Sequence, residues 1–474
     1  MKPEQMRGDN TIFVLLSFEG PDLYALAGGL GVRIAQLART LAKKQFYTHL
    51  FFIGDPRLPG EELTEDGHLI LHRWCQWISE YYPNGVYQGE YQKHADYSGS
   101  VPPWIIERIV RPAVADGKLV AVLAEEWHTA EAACRLSEQL KQAKLRDEVG
   151  IFWNANNTFG FEHIDWERLK CETTITAVSR YMKHIMRDMD VPTLVIPNGI
   201  PEDLLRPVNG EAAAEVRRTL GGDPLLLKVG RWDPGKAWMQ SIEGAAKLKA
   251  SGRRPILIAR GGMEGYGSEV LGRAVELGLR VTDVTCDGES VEERLAAIVA
   301  ATDADILNIR FHCQHELLRT LYYACDAVLA NSSHEPFGLV GLEVMASGGV
   351  VFTGGTGEDY AQHFFNSIVL DTNDAEEMAG YLDYLAAHPE VCQRLRKAGQ
   401  VTARQYTWPL VVDGLIERLE SRARVHGALA RPYEVVVQRA QEALSDPSHL
   451  DAISLGASGG SVPQRTEPQR STTS

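Results

Sequence analysis

Two glutamates, Glu335 and Glu343, stand eight residues apart in the segment HEPFGLVGLEVMASGG. Pro336 and Gly338 predict a turn, and we expect a helix to begin near Leu339. The free N–H groups at the start of such a helix favour a phosphate, whereas carboxylates accept hydrogen bonds from sugar hydroxyls. The segment therefore predicts a site for a diphosphate flanked by hydroxyl-bearing groups. The alternative is a surface helix whose acids are solvated.

Two cations, Arg231 and Lys236, follow the apolar segment LLLKVG within the sequence KVGRWDPGKAWMQSIEGA. They lie where a parallel strand ends, which is where open α/β sheets bind ligands. An arginine fork and a lysine point charge suit a diphosphate whose negative charge grows as a bond to it breaks. Two basic residues on a loop are also commonly just solvated.

Two weaker signals stand in the first part of the chain. Gly28, Gly29 and Gly31 follow the first apolar segment and either allow a phosphate or a sugar to approach the backbone closely or form a strand-to-helix turn with no phosphate role. The pattern is not GxGxxG, which disfavours a nicotinamide dehydrogenase. His128 follows a buried segment and can donate to a sugar hydroxyl or to a backbone carbonyl.

The remaining polar motifs are less specific. Thr353, Gly354 and Gly355 follow an apolar segment and either offer N–H groups to a distal phosphate or simply turn the chain. Asp303 and Asp305 form a DxD pair, but they precede a strand rather than follow one. We interpret them as a solvated turn and predict no metal site.

These residues need a scaffold of strands and helices, and the apolar pattern supplies one. Continuous apolar segments separated by amphipathic ones predict a parallel sheet covered by helices on both faces. The pattern restarts after a linker rich in Pro, Gly and Asn, so we predict an α/β fold of two tandem doubly wound units that face each other across a cleft. The predicted strands lie at 11–18, 48–54, 119–124, 151–156 and 173–179, and then at 224–230, 255–262, 279–285, 304–310, 326–332 and 349–355.

The composition limits the partners. The 474 residues carry a formal charge of −15, which disfavours nucleic acid and anionic membranes, so a phosphate-bearing ligand needs local cations. Seven scattered cysteines without a CxxC pair argue against a disulfide framework or a zinc site. No apolar stretch approaches the roughly 18 residues of a membrane span. We expect a cytoplasmic protein with no transmembrane segment.

Together and in this order, GGLG, EEWHTA, VSRYMK, VIPNGI, VGRWDPGK and EPFGLVGLE resemble motifs of the retaining GT-B glycosyltransferases of group 1, which include glycogen, starch and sucrose-phosphate synthases. The resemblance covers about residues 11 to 420. Leu26 stands where glycogen and starch synthases have a lysine, and Glu126 stands where they have an aspartate. These departures fit relatives with small or lipid-linked acceptors at least as well as α-glucan synthases.

The resemblance implies roles for individual residues. Arg231 and Lys236 would bind the donor diphosphate, Glu335 would lie by the donor sugar, Glu343 would hold the ribose, and His128 would contact the sugar near the reacting centre. Asn154 and Asn156 are candidates for the acceptor side. The donor-binding set comprises Gly28, Gly29, Gly31, Gly338, Leu339, Val340, Glu343, Thr353, Gly354 and Gly355.

The domain prediction follows from these assignments. We predict an acceptor-side Rossmann-like domain at 1–205, a nucleotide-sugar domain at 206–405, helices at 406–454 that pack back on the first domain, and a disordered tail at 455–474. The aromatic-rich segment 56–112 is interpreted as an insertion near the cleft, either a structural excursion or an acceptor surface.

The predicted function is the retaining transfer of a sugar from a nucleoside diphosphate sugar to a hydroxyl acceptor, either an α-glucan or a small carbohydrate. The donor is a substrate, and no cofactor is predicted. One alternative is an epimerase of nucleotide sugars on the same fold, which would convert the donor without any acceptor. The other is a non-catalytic protein that binds sugar or nucleotide as a regulator.

Overall fold

The computed structural model describes residues 3–301, 303–372, 374–425, 427 and 429. Two compact units are distinguished among the described residues, one of which comprises 7–419. The other is small and combines residues 3–6 with those described from 420 onward. In the small unit the N–H of Met6 donates to Glu420 at 2.8 Å. The predicted tail and most of the helical segment predicted at 406–454 lie outside the described residues.

The first sheet has eight strands in the order β3-β4-β2-β1-β5-β6-β7-β8, and only β3 and β4 pair antiparallel. All seven residues of β5 are buried, as expected for a strand covered on both faces. The strands are β1 Thr11–Leu16, β2 Tyr47–Ile53, β3 Glu61–Thr64, β4 Leu69–Trp74, β5 Leu119–Glu125, β6 Val149–Ala155, β7 Thr174–Ala177 and β8 Leu194–Val195.

The second sheet has seven strands in the order β11-β12-β10-β9-β13-β14-β15, with parallel pairing throughout. Its strands are β9 Leu225–Val229, β10 Ile256–Arg260, β11 Val281–Val284, β12 Ile306–Ile309, β13 Ala327–Ala330, β14 Val351–Thr353 and β15 Ile368–Val369. Two parallel sheets covered by helices confirm the predicted α/β architecture.

Helices connect the strands because amphipathic segments separate the apolar ones. In α1, for example, Ile34, Leu37 and Leu41 are buried on one face. None of the helices in the described part of the chain is long and apolar enough to cross a membrane. The helices are α1 Gly29–Lys43, α2 Gln76–Ser79, α3 Glu90–Ile105, α4 Arg111–Ala115, α5 Ala130–Gln142, α6 Trp166–Glu172, α7 Arg180–Asp188, α8 Gly210–Leu220, α9 Trp238–Ala250, α10 Tyr266–Glu276, α11 Val291–Ala300, α12 His315–Ala324, α13 Leu339–Ala346, α14 Ala375–Ala387, α15 Pro389–Arg404 and α16 Trp408–Val425.

The strand order identifies where a ligand belongs. In the first sheet the order reverses between β1 and β5, and in the second it reverses between β9 and β13. Ligands of open α/β sheets bind at such switch points, beyond the carboxyl ends of the strands. The glycine loop follows β1, His128 follows β5, Arg231 follows β9 and Glu335 follows β13. All four predicted motifs therefore lie at switch points.

The interpretation of segment 56–112 as an insertion is wrong. The segment contributes β3 and β4 to the first sheet, and β4 pairs with the central strand β2. It also contains α2, α3 and α4. The apolar pattern fails here because β4 carries two buried polar side chains, His72 and Arg73, and because β3 is an exposed and charged edge strand.

Candidate functional site

Elements of both sheets line one cavity of about 890 Å³. On one side are Arg231, His334 and Pro336, which we call the second-sheet wall. On the other are the residues that we call the first-sheet wall. They are Tyr87 and Glu90, then Asn157, Thr158 and Phe159 after β6, and then Tyr181, Met182 and Ile185 on α7. A volume of this size is typical of a small-molecule site.

The second-sheet wall brings together the two motifs that the sequence places about a hundred residues apart. The ammonium group of Lys236 forms an ion pair with the carboxylate of Glu335. The backbone of the same two loops is joined, since the N–H of Ser333 donates to the carbonyl of Gly235 at 2.9 Å. The diacid segment and the basic loop therefore form one structural unit.

Local hydrogen bonds fix the backbone on both sides of the Arg231 side chain. The indole N–H of Trp238 donates to the carbonyl of Arg231 at 2.7 Å, and the N–H of Trp232 donates to Glu264 at 2.9 Å. The side chain of Arg231 itself is exposed and lines the cavity. Its backbone is held while its guanidinium group is available to a ligand.

A buried amine connects the strands beneath this wall. Lys228 of β9 donates to the side-chain oxygen of Asn331 at 2.6 Å and to the carbonyl of Leu329 at 3.1 Å. Burial lowers the pKa of Lys228 to about 7. Because Asn331 follows β13, these bonds hold the end of β13 against β9. Nothing in the spacing of the sequence distinguishes this lysine from a surface one.

Helix α13 begins at Leu339, as predicted, and its first turn also contains Val340. Gly338 precedes it with φ of +80°, and a Cβ there would lie 2.6 Å from the Cγ of Glu358. A glycine is therefore required both by the left-handed backbone and by the space. Burial beside Glu335 raises the pKa of Glu358 to about 8.

The turn after β14 supports Glu335. The hydroxyl of Thr356 accepts from the N–H of Glu335 at 2.9 Å, and the N–H of Gly357 donates to the carbonyl of Glu335 at 2.8 Å. Thr353 and Gly354 are buried, and a Cβ on Gly354 would lie 2.1 Å from the carbonyl oxygen of Ser332. Because Thr353 and Gly354 pack beneath the surface, the structure favours the alternative that this turn only redirects the chain, and a phosphate contact there stays a prediction. Gly355 is exposed.

Glu343 lies apart from the cavity. The hydroxyl of Tyr322 donates to its carboxylate at 3.3 Å, and burial raises the pKa of Glu343. Glu335 and Glu343 are therefore on the same short segment, but only the neighbours of Glu335 line the cavity. A ribose role for Glu343 stays a prediction.

The glycine loop differs from its prediction. The carboxylate of Glu19, which is 4% exposed, accepts from the N–H of Gly28 at 2.9 Å and from that of Gly31 at 3.0 Å. It also accepts from the hydroxyl of Tyr87 at 2.5 Å. The protein's own carboxylate thus occupies the anion-binding position that the sequence assigns to a phosphate, while Gly29 begins α1 without contributing to this contact.

His128 is buried between aromatic rings, 4.2 Å from the ring of Phe18 and 3.8 Å from that of Trp127. Its Nε2 lies 2.6 Å from a carboxylate oxygen of Glu90. Burial lowers the pKa of His128, although Glu90 opposes this effect. Glu90 lines the cavity and His128 does not. The histidine therefore acts on the cavity only by holding the carboxylate of Glu90.

The predicted acceptor residues Asn154 and Asn156 are both engaged elsewhere. Their amide groups donate to one oxygen of Glu125, at 2.9 and 2.8 Å, and Glu125 pairs with Arg33 at 3.1 Å. Asn154 is 5% exposed, so the structure contradicts its placement on the cavity surface. The residue after this pair, Asn157, lines the cavity instead.

Sequence reasoning missed most of the first-sheet wall. The loop after β6 was recognisable, because it follows a parallel strand at the same edge as the other motifs. Tyr87 and Glu90 gave no such signal, since they precede a helix in a segment without clear periodicity. Glu19 was equally hidden, because its partners are a glycine loop and a distant tyrosine.

Comparisons with known proteins agree with this fold. The family model for glycosyl transferases group 1 matches residues 211–402. The D-inositol 3-phosphate glycosyltransferase of Stackebrandtia nassauensis is 23% identical over 414 residues, which are 82% of this chain and 86% of that protein.

Two solved structures have the same fold. The sucrose-phosphate synthase of Thermosynechococcus elongatus superposes with a TM-score of 0.63 at 18% identity, over 87% of this chain and all of that one. HepE of Anabaena in complex with UDP-glucose superposes with a TM-score of 0.58 at 15% identity, over 87% and 100% of the two chains. Residues 211–402 are therefore similar to the glycosyl transferases of group 1, and the chain has the GT-B fold.

Proposed function

We propose that the protein transfers a sugar from a nucleoside diphosphate sugar to a hydroxyl acceptor with retention of configuration at the anomeric carbon. One observation carries the proposal. The Lys236–Glu335 ion pair joins the basic loop to the acidic segment at the switch point of the second sheet, and Arg231 of that loop faces residues of the first sheet across one cavity. The cations on the second-sheet side suit the diphosphate of the donor, and the polar groups of the first-sheet wall suit a hydroxyl acceptor.

In this proposal the second-sheet wall stabilises the leaving group. As the bond from C1 to the phosphate oxygen lengthens, negative charge grows on the diphosphate, and Arg231, Lys236 and the N–H groups that start α13 lower its energy. Lys236 is paired with Glu335 before the donor arrives. An incoming diphosphate competes for this ammonium group, which frees the Glu335 carboxylate to accept from a sugar hydroxyl.

The acceptor hydroxyl then attacks C1 from the face that the diphosphate leaves. A C1–oxygen bond to the acceptor forms, the C1–oxygen bond to phosphate breaks, and the acceptor proton passes to the departing phosphate oxygen. His128 would lie near this centre, behind Glu90. Closure of the cavity around both substrates would limit hydrolysis of the donor.

The names of the similar proteins support transfer over the two alternatives. The D-inositol 3-phosphate glycosyltransferase is, by its name, a transferase. The structure of HepE contains bound UDP-glucose, which makes UDP-sugars the first donors to test. Neither an epimerase nor a regulator is among the relatives described.

The test is a panel of UDP-, ADP- and GDP-sugars. We expect one nucleotide to stabilise the protein by about 2.7 kcal/mol at 100 times its dissociation constant. Nucleotide release should then require a hydroxyl acceptor, and NMR of the product should show the anomeric configuration of the donor. A new sugar nucleotide formed without acceptor would indicate an epimerase, binding without turnover would indicate a regulator, and an inverted product would refute retention.

A further inference from the structure

Two hydrogen bonds hold the short segment that carries Tyr87 and Glu90. The hydroxyl of Tyr87 donates to buried Glu19 at 2.5 Å, and one carboxylate oxygen of Glu90 lies 2.6 Å from the Nε2 of buried His128. Tyr87 and Glu90 line the cavity, and the buried residues Glu19 and His128 hold them in place. The polar atoms that they present to a ligand are therefore set before the ligand arrives.

Towards a ligand, Tyr87 and Glu90 can act only as hydrogen-bond acceptors. The only hydroxyl proton of Tyr87 is used in its hydrogen bond to Glu19, so the hydroxyl oxygen can only accept a hydrogen bond from a ligand. The second oxygen of Glu90 has no hydrogen-bond partner among the residues that the structure describes. The hydrogen bond from His128 holds the pKa of Glu90 below its usual value, and the group is ionised at neutral pH.

The rest of the first-sheet wall adds no positive side chain. Asn157 donates to Glu126 at 3.2 Å and accepts from the N–H of Phe159 at 2.6 Å, so its amide is largely engaged. The ring of Phe159 is 71% exposed and Tyr87 is 42% exposed. Of the eight described residues in this wall, Glu90 alone is an acid and none is lysine or arginine.

We propose that the first-sheet wall binds the acceptor as a neutral polyhydroxylated ring, whose hydroxyl protons are accepted by Glu90 and Tyr87 and whose carbon face lies on exposed aromatic rings. This inference rests on the proposed transferase function and names its acceptor class. A phosphorylated acceptor is discriminated against, because a phosphate dianion brings lone pairs to Tyr87 and Glu90, which can only accept, and is repelled by the Glu90 carboxylate.

The test compares matched acceptors, using the donor that the nucleotide panel identifies. The pairs are glucose with glucose 6-phosphate, fructose with fructose 6-phosphate, and inositol with D-inositol 3-phosphate. We expect kcat/KM to be at least about tenfold higher for the neutral member of the pair that is used best. Equal use, or preference for the phosphorylated member, overturns the inference while leaving the transferase function intact. Failure to turn over any donor overturns both.

Variants connect the preference to these side chains. Glu90→Gln keeps the shape of the side chain but removes its charge, so the preference for the neutral acceptor should fall at least about fivefold. Glu107→Gln, which removes an exposed acid paired with Arg111, should leave the preference unchanged. An unchanged preference in Glu90→Gln would refute the assignment.

A second variant guards against a folding defect. Tyr87→Phe removes one acceptor oxygen and should raise KM for the neutral acceptor at least about threefold, with the donor dissociation constant unchanged. If acceptor KM stays the same while the donor constant rises, the wall belongs to the donor site and the inference fails.

Discussion

The two walls of the cavity are built in different ways. The second-sheet wall is local, since Arg231, Lys236 and Glu335 lie on two loops that are bonded directly to each other. The first-sheet wall is assembled from distant segments and is held by buried carboxylates, such as Glu19 and Glu126. The loops of the second-sheet wall carry cations, whereas the first-sheet wall presents hydrogen-bond acceptors. This arrangement suits a charged leaving group on one side and a hydroxyl nucleophile on the other.

This difference explains why the two walls were not equally predictable. A cationic loop after a strand is recognisable because its residues are close in sequence and at the edge where α/β sheets bind ligands. A wall held by buried acids is not, because each acid must be satisfied by donors that only the folded chain supplies. The comparison therefore predicts that substitutions in the second-sheet wall affect chemistry, whereas those behind the first-sheet wall affect stability and acceptor binding.

Lys236→Ala should have the largest effect. We expect kcat/KM to fall about 10²- to 10³-fold, or about 3–4 kcal/mol, because a positive charge on the leaving diphosphate is lost. The free energy of unfolding should change by less than about 1 kcal/mol, since the pair is partly exposed. Nucleotide release and urea denaturation measure the two quantities. Lys247→Ala, in an exposed pair with Glu376, is the control. Unchanged turnover would remove the cation argument.

Asn154→Ala should act on stability. Asn154 donates to buried Glu125 and accepts from Thr176 at 2.8 Å, so its loss leaves buried polar groups unsatisfied. We expect the free energy of unfolding to fall by about 1–3 kcal/mol and acceptor KM to change less than about threefold. A raised acceptor KM at unchanged stability would return Asn154 to the acceptor side.

Glu19→Gln separates the two interpretations of the glycine loop. If Glu19 fixes the first-sheet wall through Tyr87, the donor dissociation constant should change less than about twofold while acceptor KM rises about five- to tenfold. If Gly28 and Gly31 bind a donor phosphate instead, removing the competing charge should tighten donor binding. Calorimetric titration with the nucleotide, followed by acceptor kinetics, decides between them.

Glu358→Gln should have the smallest effect, and one that depends on pH. The pKa of Glu358 is raised from 4.5 to about 8 by burial, so between these values the unfolded chain has released a proton that the folded chain keeps. This group therefore makes the free energy of unfolding fall as pH rises from about 5 to 8. The variant should be more stable than the parent by a margin that grows from pH 5 to pH 8. Urea denaturation at both pH values measures this, and an equal difference at both would contradict the assignment.

Most of the scaffold was predictable from apolar segments. The strands at the centre of both sheets and the start of α13 lie where the sequence predicts them, because continuous apolar segments and a Pro–Gly turn are local signals. The exceptions have physical reasons. Strands β8 and β15 have two residues each, too short for a periodicity, and β4, which lies between β3 and β2, carries buried His72 and Arg73.

The sequence by itself determined the two doubly wound units, the basic loop after β9 and the acidic segment after β13, because these depend on residue types within a few positions of one another. Only the tertiary structure decided which polar groups are available to a ligand. The carboxylate of Glu19 accepts hydrogen bonds from two N–H groups of the glycine loop and from the hydroxyl of Tyr87, which is 68 residues away in the sequence. Such pairings depend on how distant segments pack, and burial makes each of them energetically necessary.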